Sequence, residues 1–266
     1  MRMMQKCTAS TLTIRTSPDL QEALNRLCIW ADSWQLRLAI PKCLAHKITN
    51  KTYSLAAYSY QLYNNNLSWS ANTRDLGVII DDRLTFSDHI MSIVHKSNTR
   101  AYLIRKCFVS RDRDLLLKAF VTYVRPLLES CTVVWSPHHS GLINQIESVQ
   151  RNFTKKIEGM SHTSYNDRLN VLGLDSLQVR RIKFDLIFCY KIIHSLIDLN
   201  CSEFLQLVCY PSRGHSYKLQ KHYSSVDARK FYFSNRVVDY WNNLPEHIVS
   251  APSLSSFKRR LSNILF

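Results

Sequence analysis

Helical periodicity is the feature that most constrains this chain, because it runs almost without interruption from residue 87 to about residue 200. Apolar side chains recur there at three- and four-residue steps, which places them on one face of an α-helix. The chain has only 5 glycines and 7 prolines, too few for a turn-dense β-sandwich or barrel. We therefore predict helices over residues 88–108, 112–130, 141–158 and 176–198, with Pro126 kinking or splitting the second.

The first 86 residues begin with a predicted helix. Ser17, Pro18 and Asp19 combine a capping hydroxyl, a proline at the first helical position and an acid at the positive end of the helix dipole. Pro41 breaks the periodic pattern that follows. We expect one stripe of this helix to be buried as far as about residue 34, formed by Leu20, Leu24, Leu27, Trp30 and Trp34.

After Pro41 the pattern changes to short β-like segments. Residues 53–58 and 76–80 have strand character, and they are separated by the turn-forming asparagines 64–66. Asp81 and Asp82 close the second segment. We predict a helix packed on a small antiparallel sheet, with the apolar side of residues 76–80 against the helix stripe.

The last 66 residues show less periodicity. Residues 201–225 contain a proline, a glycine and several histidines and lysines, so we expect a linker or long loop there. A further unit over 231–241 and a basic helix over 253–266 follow. The predicted fold class is α+β, mainly α, with a palm-type helix and small sheet in residues 1–86, a helical bundle in 87–200, and a C-terminal loop and helical region in 201–266.

The charge balance favours a partner that carries phosphate groups. With 35 Lys+Arg against 20 Asp+Glu, the formal net charge is +15. Tyr102, Phe153 and Phe184 lie beside the cations in sequence and could add stacking or apolar support. The alternatives are ordinary solvated helix faces and, less well matched to such dispersed charge, an anionic membrane. The predicted nucleic-acid-binding residues are Arg74, Lys96, Arg100, Arg105, Lys106, Arg151, Lys155, Lys156, Arg180 and Arg181.

The sequence gives little support for a metal site or a catalytic motif. The pair Asp81 and Asp82 could help to hold divalent ions, but such a site needs a further carboxylate from an upstream strand, so we interpret the pair as a turn. All five glycines are isolated, so neither a phosphate-cradling loop nor a nucleophile elbow is present. We assign no metal to the remaining candidates, whose spacings match no common zinc site: Cys201, Cys209, His215 and His222, and the pair His138 and His139.

No stretch reaches the roughly 18 apolar residues of a membrane-spanning helix. The first residues turn polar at once and show no secretory signal, so we expect an intracellular protein, nuclear or cytoplasmic. The 8 cysteines are then expected to be thiols in a reducing compartment.

Several ordered motifs resemble the C-terminal part of reverse transcriptases from non-LTR retrotransposons, the LINE class, and in particular its jockey-like branch. They span about residues 17–262. Residues 19–30, 34–38 and 42–43 resemble the palm helix and the strand after it, and residues 75–90 resemble the primer grip. The thumb and the C-terminal region are matched by VRPLLE at 124–129, VW at 134–135, IESVQR at 146–151, LQVRR at 177–181, FSNRVVDYWNNLP at 233–245 and FKRRL at 257–261.

The resemblance implies that the chain is part of an RNA-directed DNA polymerase. It also implies Mg²⁺ as a cofactor, but only for a full-length relative. The spacing of the family places the catalytic carboxylates near Gln5 and Lys6, which are not acidic. Lys42 matches a lysine thought to protonate departing pyrophosphate, whereas Ala39 replaces the usual asparagine. We therefore expect a truncated fragment, inactive by itself and without a cofactor of its own.

Residual binding of template–primer duplex, RNA–DNA or DNA, is the function that the resemblance and the charge favour together. The alternative is a helical protein-interaction scaffold that does not bind nucleic acid. Because the expected truncation leaves a sheet edge and apolar palm surface uncovered, we also expect oligomerisation or a partner chain that covers them.

Overall fold

The computed structural model describes residues 18–49, 59–208, 214–264 and 266. These residues are mainly helical and carry three sheets of two strands each, so the predicted α+β, mainly α class is confirmed. The chain divides into two compact units, Met1–Leu84 and Thr85–Phe266, which we call the first and second units. The predicted regions 87–200 and 201–266 both lie in the second unit.

The first unit contains one helix and six short strands among its described residues. Helix α1 covers Pro18–Ser33, and a single helical turn covers Ile40–Lys42. The strands pair as β1 with β4 in parallel, β2 with β3 antiparallel, and β5 with β6 antiparallel. The parallel pair departs from the predicted antiparallel sheet. The strands are β1 (Leu44–His46), β2 (Gln61–Leu62), β3 (Asn65–Asn66), β4 (Ser68–Ser70), β5 (Asn72–Asp75) and β6 (Val78–Asp81).

Two hairpin turns explain where the strands differ from prediction. Tyr63 and Asn64 have positive φ values of 47° and 61°, so the turn lies there and the next two asparagines belong to β3. Leu76 and Gly77 form the β5–β6 turn with φ values of 46° and 93°, and β6 therefore begins at Val78 instead of residue 76. The predicted strand over 53–58 lies outside the described residues.

Helix α1 packs mainly on β2 instead of on residues 76–80 as predicted. The small core of the first unit is formed by Leu24, Ala45, Tyr60 and Leu62. The predicted stripe is wrong at its end, since Trp34 is 67% exposed. Burial instead follows residues 20, 24, 28 and 31, at steps of four, four and three residues along one face of the helix.

The second unit is built from helices, and the four predicted by periodicity are present within a few residues of their expected bounds. Asp112, Ser164, Ser176 and Ser253 cap helices by accepting a backbone N–H three residues on. The helices are α2 (Ser87–Cys107), α3 (Arg113–Ala119), α4 (Arg125–Glu129), α5 (Thr132–Trp135), α6 (Ser140–Lys155), α7 (Tyr165–Leu172), α8 (Leu177–Ile193), α9 (Cys201–Phe204), α10 (Asp227–Lys230), α11 (Phe233–Asn242), α12 (Glu246–Val249) and α13 (Leu254–Ser262).

The predicted split at Pro126 takes the form of a wider turn. Between α3 and α4 the backbone is π-helical over Phe120–Val124, immediately before the proline-containing helix. Proline has no N–H for the regular ladder, and a π turn accommodates the missing bond. This turn also places Tyr123 on the surface.

The C-terminal part of the second unit packs on α8. Of residues 201–225, predicted to be a linker or long loop, those that the structure describes form a loop after the short helix α9. Its core contains side chains from α8, α11, α12 and α13, with Trp241 fully buried. Leu205 and Leu219 belong to this core, and the bridge between Leu207 and Leu219 pairs the two arms of the loop. The buried side chains among the described residues of this loop are Leu205, His215 and Leu219, and such single buried residues are not detected by a search for periodicity.

Candidate nucleic-acid interface

Helices α2 and α6 position most of the predicted cations. Trp135 precedes α6 closely and its ring lies 5.2 Å from that of His89 in the first turn of α2. Because α2 packs on α6 and their N-terminal ends are close, the two helices run in the same direction. Their basic C-terminal turns, with Arg105 and Lys106 on one and Lys155 on the other, therefore lie at the same end of the bundle.

An aromatic stack brings a third set of cations to this end. The rings of Phe120 and Phe153 are 4.6 Å apart. The exposed Lys118 precedes the first ring by two residues, and the exposed Lys155 follows the second by two. A side chain two residues from a buried ring points to the other side of its helix, so the two lysines lie at this end of the bundle on the solvent-facing sides of α3 and α6.

The loop after α2 adds cations that the sequence analysis missed. Arg111 Nη1 donates a hydrogen bond to the carbonyl oxygen of Arg105 at 3.1 Å, which holds the loop against the last turn of α2. Arg113 follows at the start of α3. The density of Lys and Arg between 105 and 118 was a signal for these residues. We call the following set the basic end: Arg105, Lys106, Arg111, Arg113, Lys118, Lys155 and Lys156.

The other predicted cations of α2 and α6 lie beside the basic end. Lys96 and Arg100 are exposed on α2, and Arg100 Nη1 donates to the carbonyl oxygen of Tyr123 at 3.2 Å. Arg151 lies over the ring of Tyr165, with 5.1 Å between Cζ and the ring centroid. These contacts fix the guanidinium groups but leave the side chains at least partly exposed.

On α8, Arg180 is paired with an acidic side chain and Arg181 is buried inside the fold. Arg180 Nη2 donates to Glu129 Oε2 at 3.0 Å, and its Cζ lies 5.4 Å from the ring centroid of Phe184. Arg181 is only 3% exposed, and burial lowers the pKa of its guanidinium. We therefore leave both arginines out of the candidate interface. Sequence spacing could not reveal this, because α8 is covered on several sides.

The aromatic residues predicted to support the cations have different environments. Tyr102 is 55% exposed on α2, whereas Phe153 is buried in the stack with Phe120. Phe184 is half-buried under Arg180. Of the three, Tyr102 alone has a largely exposed ring.

The two predicted basic residues of the first unit are both exposed. Arg74 is exposed on β5, opposite Ile79 of β6. Lys42 is exposed at the end of the turn Ile40–Lys42. Asp81 Oδ1 accepts the backbone N–H of Arg83 at 3.1 Å, consistent with the predicted turn.

No group of three or more His, Cys, Asp or Glu side chains that could hold a metal ion occurs among the described residues. His138 stacks on Phe231 with centroids 4.0 Å apart, and burial together with neighbouring His139 lowers its pKa. Cys209 lies outside the described residues. None of the described helices combines the length and apolar character that crossing a bilayer requires.

Comparison with known proteins gives partial relatives. An uncharacterized protein of Caenorhabditis elegans is 29% identical over 111 residues, 41% of this chain and 56% of that protein. The RNA-directed DNA polymerase from mobile element jockey of Drosophila funebris is 28% identical over 155 residues, 57% of this chain and 17% of the polymerase. The probable RNA-directed DNA polymerase from transposon BS of Drosophila melanogaster is 25% identical over 142 residues, 52% of this chain and 16% of that protein.

The chain thus spans about half of one relative and about one sixth of each polymerase. These matches support a relationship to the RNA-directed DNA polymerases of non-LTR elements, as the sequence motifs predicted, over part of the chain. No family model matches the chain, and no solved structure shows significant similarity to it.

Proposed function

We propose that this chain is a template–primer-binding part of a non-LTR reverse transcriptase, in which the basic end grips the phosphates of a nucleic-acid duplex. One observation carries the proposal: seven Lys and Arg residues of α2, α3, α6 and the adjoining loops lie at one end of the helical bundle. Polymerase relatives over more than half of the chain support the same assignment.

The arrangement suits binding without sequence readout. Lysine and arginine side chains on helix ends contact phosphates by charge, and no base-reading geometry is needed for affinity. The flanking residues Lys96, Arg100 and Arg151 extend the positive surface along the two parallel helices. In the first unit, Arg74 remains a proposed contact of the element that resembles the primer grip.

The test of binding is its dependence on salt. If about four phosphates are neutralised, affinity for an RNA–DNA hybrid should fall about 100-fold between 50 and 200 mM salt. The double variant Lys106→Ala/Lys155→Ala should reduce the slope of log affinity against log salt by about two. Affinity that does not change with salt would contradict the proposal and favour the protein-interaction scaffold.

A matched pair of cations far from the basic end in sequence provides the control. Lys258 and Arg259 are exposed on α13 and also carry two positive charges. The variant Lys258→Ala/Arg259→Ala removes the same net charge, so it should leave the slope unchanged if binding is local. An equal loss in both variants would mean that only the overall charge matters.

We further propose that these 266 residues do not polymerise nucleotides by themselves, since Gln5 and Lys6 stand where the family spacing places the catalytic acids. Primer extension on poly(rA)/oligo(dT) with Mg²⁺ or Mn²⁺ should show no incorporation. Incorporation that is abolished by changing Asp81 and Asp82 to Asn would contradict this part of the proposal.

A further inference from the structure

An apolar hollow opens on the second unit, next to the cations of α2. Its volume is about 280 Å³, and its wall is almost entirely apolar. The C-terminal half of α2 provides one side of it, and the π-helical turn Phe120–Val124 provides the other. The lining residues are Arg100, Leu103, Ile104, Cys107, Phe108 and Tyr123.

The π turn gives this hollow an aromatic wall. Tyr123 is 54% exposed, although it lies in the middle of a helical segment whose neighbours Phe120 and Val124 are fully buried. Its backbone oxygen accepts the hydrogen bond from Arg100, so the guanidinium is fixed at the rim. An aromatic ring and a guanidinium plane at one opening are the two groups on which nucleobases stack.

The charges around the hollow indicate what it binds. Lys96 and Arg100 are exposed on the same side of α2 as Leu103 and Cys107, because residues four and seven apart share a helix face. Lys106 of the basic end is exposed in the next turn. An apolar peptide would leave these cations without an anionic partner, whereas an unpaired nucleotide presents an apolar ring face together with an anionic phosphate.

We propose that the hollow binds an unpaired nucleobase at the single-stranded end of the nucleic acid that the basic end grips. The base stacks on Tyr123, and Lys96 and Arg100 contact its flanking phosphates. This inference rests on the proposed function but adds a ligand class to it: a duplex with a single-stranded extension. Stacking tolerates any base, so the site distinguishes a single-stranded extension from a blunt duplex end without reading its sequence.

The first test compares a blunt RNA–DNA hybrid with the same hybrid carrying a three-nucleotide single-stranded extension. We expect the extended hybrid to bind more tightly, and Tyr123→Ala to weaken its binding by about tenfold, as loss of one base–aromatic stack does. Binding of the blunt hybrid should be unchanged. Tyr240→Ala is the control, because that tyrosine is also exposed on a helix, α11, but does not line the hollow.

The outcomes separate the two proposals. If neither hybrid binds with a steep salt dependence, the proposed function fails. If both hybrids bind equally and Tyr123→Ala changes neither, the basic end is supported and the base site is refuted. The variant Tyr123→Leu keeps apolar volume at the π turn, so it should fold even if Tyr123→Ala does not, and it should also lose the preference for the extension.

Cys107 provides a second test on the unmodified hollow. Its thiol is exposed at the wall, so an extension base that carries a tethered disulfide can exchange with it, forming a protein–nucleotide disulfide and releasing the tether's leaving thiol. In a Cys131→Ser background, peptide mapping should find the adduct mainly at Cys107, and only with the extended hybrid. Adducts spread evenly over the remaining cysteines would overturn the proposal.

Discussion

The two units differ in how much of their structure is held by their own core. In the first unit, a cluster of four buried side chains and three two-stranded sheets support one helix among the described residues, and Ile29 and Trp34 remain largely exposed. In the second unit, sixteen buried residues form one core around α8 and α11, and a separate aromatic stack joins α6 to the π turn. The second unit is therefore expected to be stable by itself, whereas the first depends on further contacts.

A buried ion pair also connects helices of the second unit. Arg236 on α11 donates from Nε to Asp185 Oδ2 at 2.8 Å and from Nη2 to Oδ1 at 2.9 Å, and it also reaches the carbonyl oxygen of Val133. Burial raises the pKa of Asp185, and the arginine opposes that shift. The pair joins α8 to α11, across the boundary that the sequence predicted at residues 200 and 201.

The largest effect is expected from Arg236→Met. Removing the arginine leaves the carboxylate of Asp185 buried without its partner, which should cost about 3–5 kcal/mol of unfolding free energy. Urea unfolding followed through Trp135 and Trp241, both buried in the second unit, measures this loss. A loss below about 1 kcal/mol would show that the pair does not hold the C-terminal helices in place.

Two further variants serve as controls. One removes an exposed ion pair, and the other removes both members of the buried pair. Lys221 pairs with Asp239 at the exposed surface, so Lys221→Met should cost about 1 kcal/mol or less. The double variant Asp185→Asn/Arg236→Met removes both charges of the pair and should recover part of the stability, since the carboxylate of Asp185 is no longer left without Arg236.

A smaller effect is expected from Leu24→Ala in the first unit. The leucine is part of the four-residue core against β2, but that core is shallow, so we expect about 2 kcal/mol, at the low end for such truncations. Hydrogen exchange should show faster opening of α1 and β2 with no change in α8 or α11. Equal destabilisation of α8 would mean that the two units unfold as one.

Acid should weaken the second unit through His215. Burial lowers the pKa of this side chain, whose Nε2 lies 3.0 Å from the carbonyl oxygen of Trp241 and whose neighbours include Lys218 and Glu246. The unfolded chain then binds more protons, so stability falls as the pH drops from about 6.5 to the lower folded-state pKa. His215→Gln keeps a donor for Trp241, and it should flatten the stability profile over that window as measured by urea unfolding.

The contrast also explains what sequence could predict. Helices α2, α6 and α8 follow from periodicity because their buried faces are long and regular, and the basic residues of α2 were found with them. Arg181 could not be recognised as buried, since its environment is made by helices distant in sequence. In the first unit, β6 starts two residues later than predicted because Leu76, with a φ of 46°, belongs to the preceding turn. A leucine gives no sequence signal for such a turn.

The smallest change in stability is expected at the exposed face of α1, where the variant tests association instead. Trp34 lies 6.5 Å from Trp30 between ring centroids, and the two rings form an apolar surface at the end of the helix. Trp34→Lys removes few internal contacts, so the unfolding free energy should change by no more than about 0.5 kcal/mol. If this surface drives self-association, the variant should shift sedimentation towards a smaller species.

Tyr223→Lys is the matched control, because Tyr223 is the more exposed aromatic residue, lies in the second unit, and gains the same charge when changed. Self-association that responds to Trp34→Lys but not to Tyr223→Lys assigns the contact to the first unit, where the small core leaves apolar surface uncovered. A wild-type chain that sediments as a monomer would show that the first unit needs no partner. An equal decrease of self-association in both variants would show that added positive charge reduces it, whichever unit carries the charge. The two units would then differ only in the size of their cores.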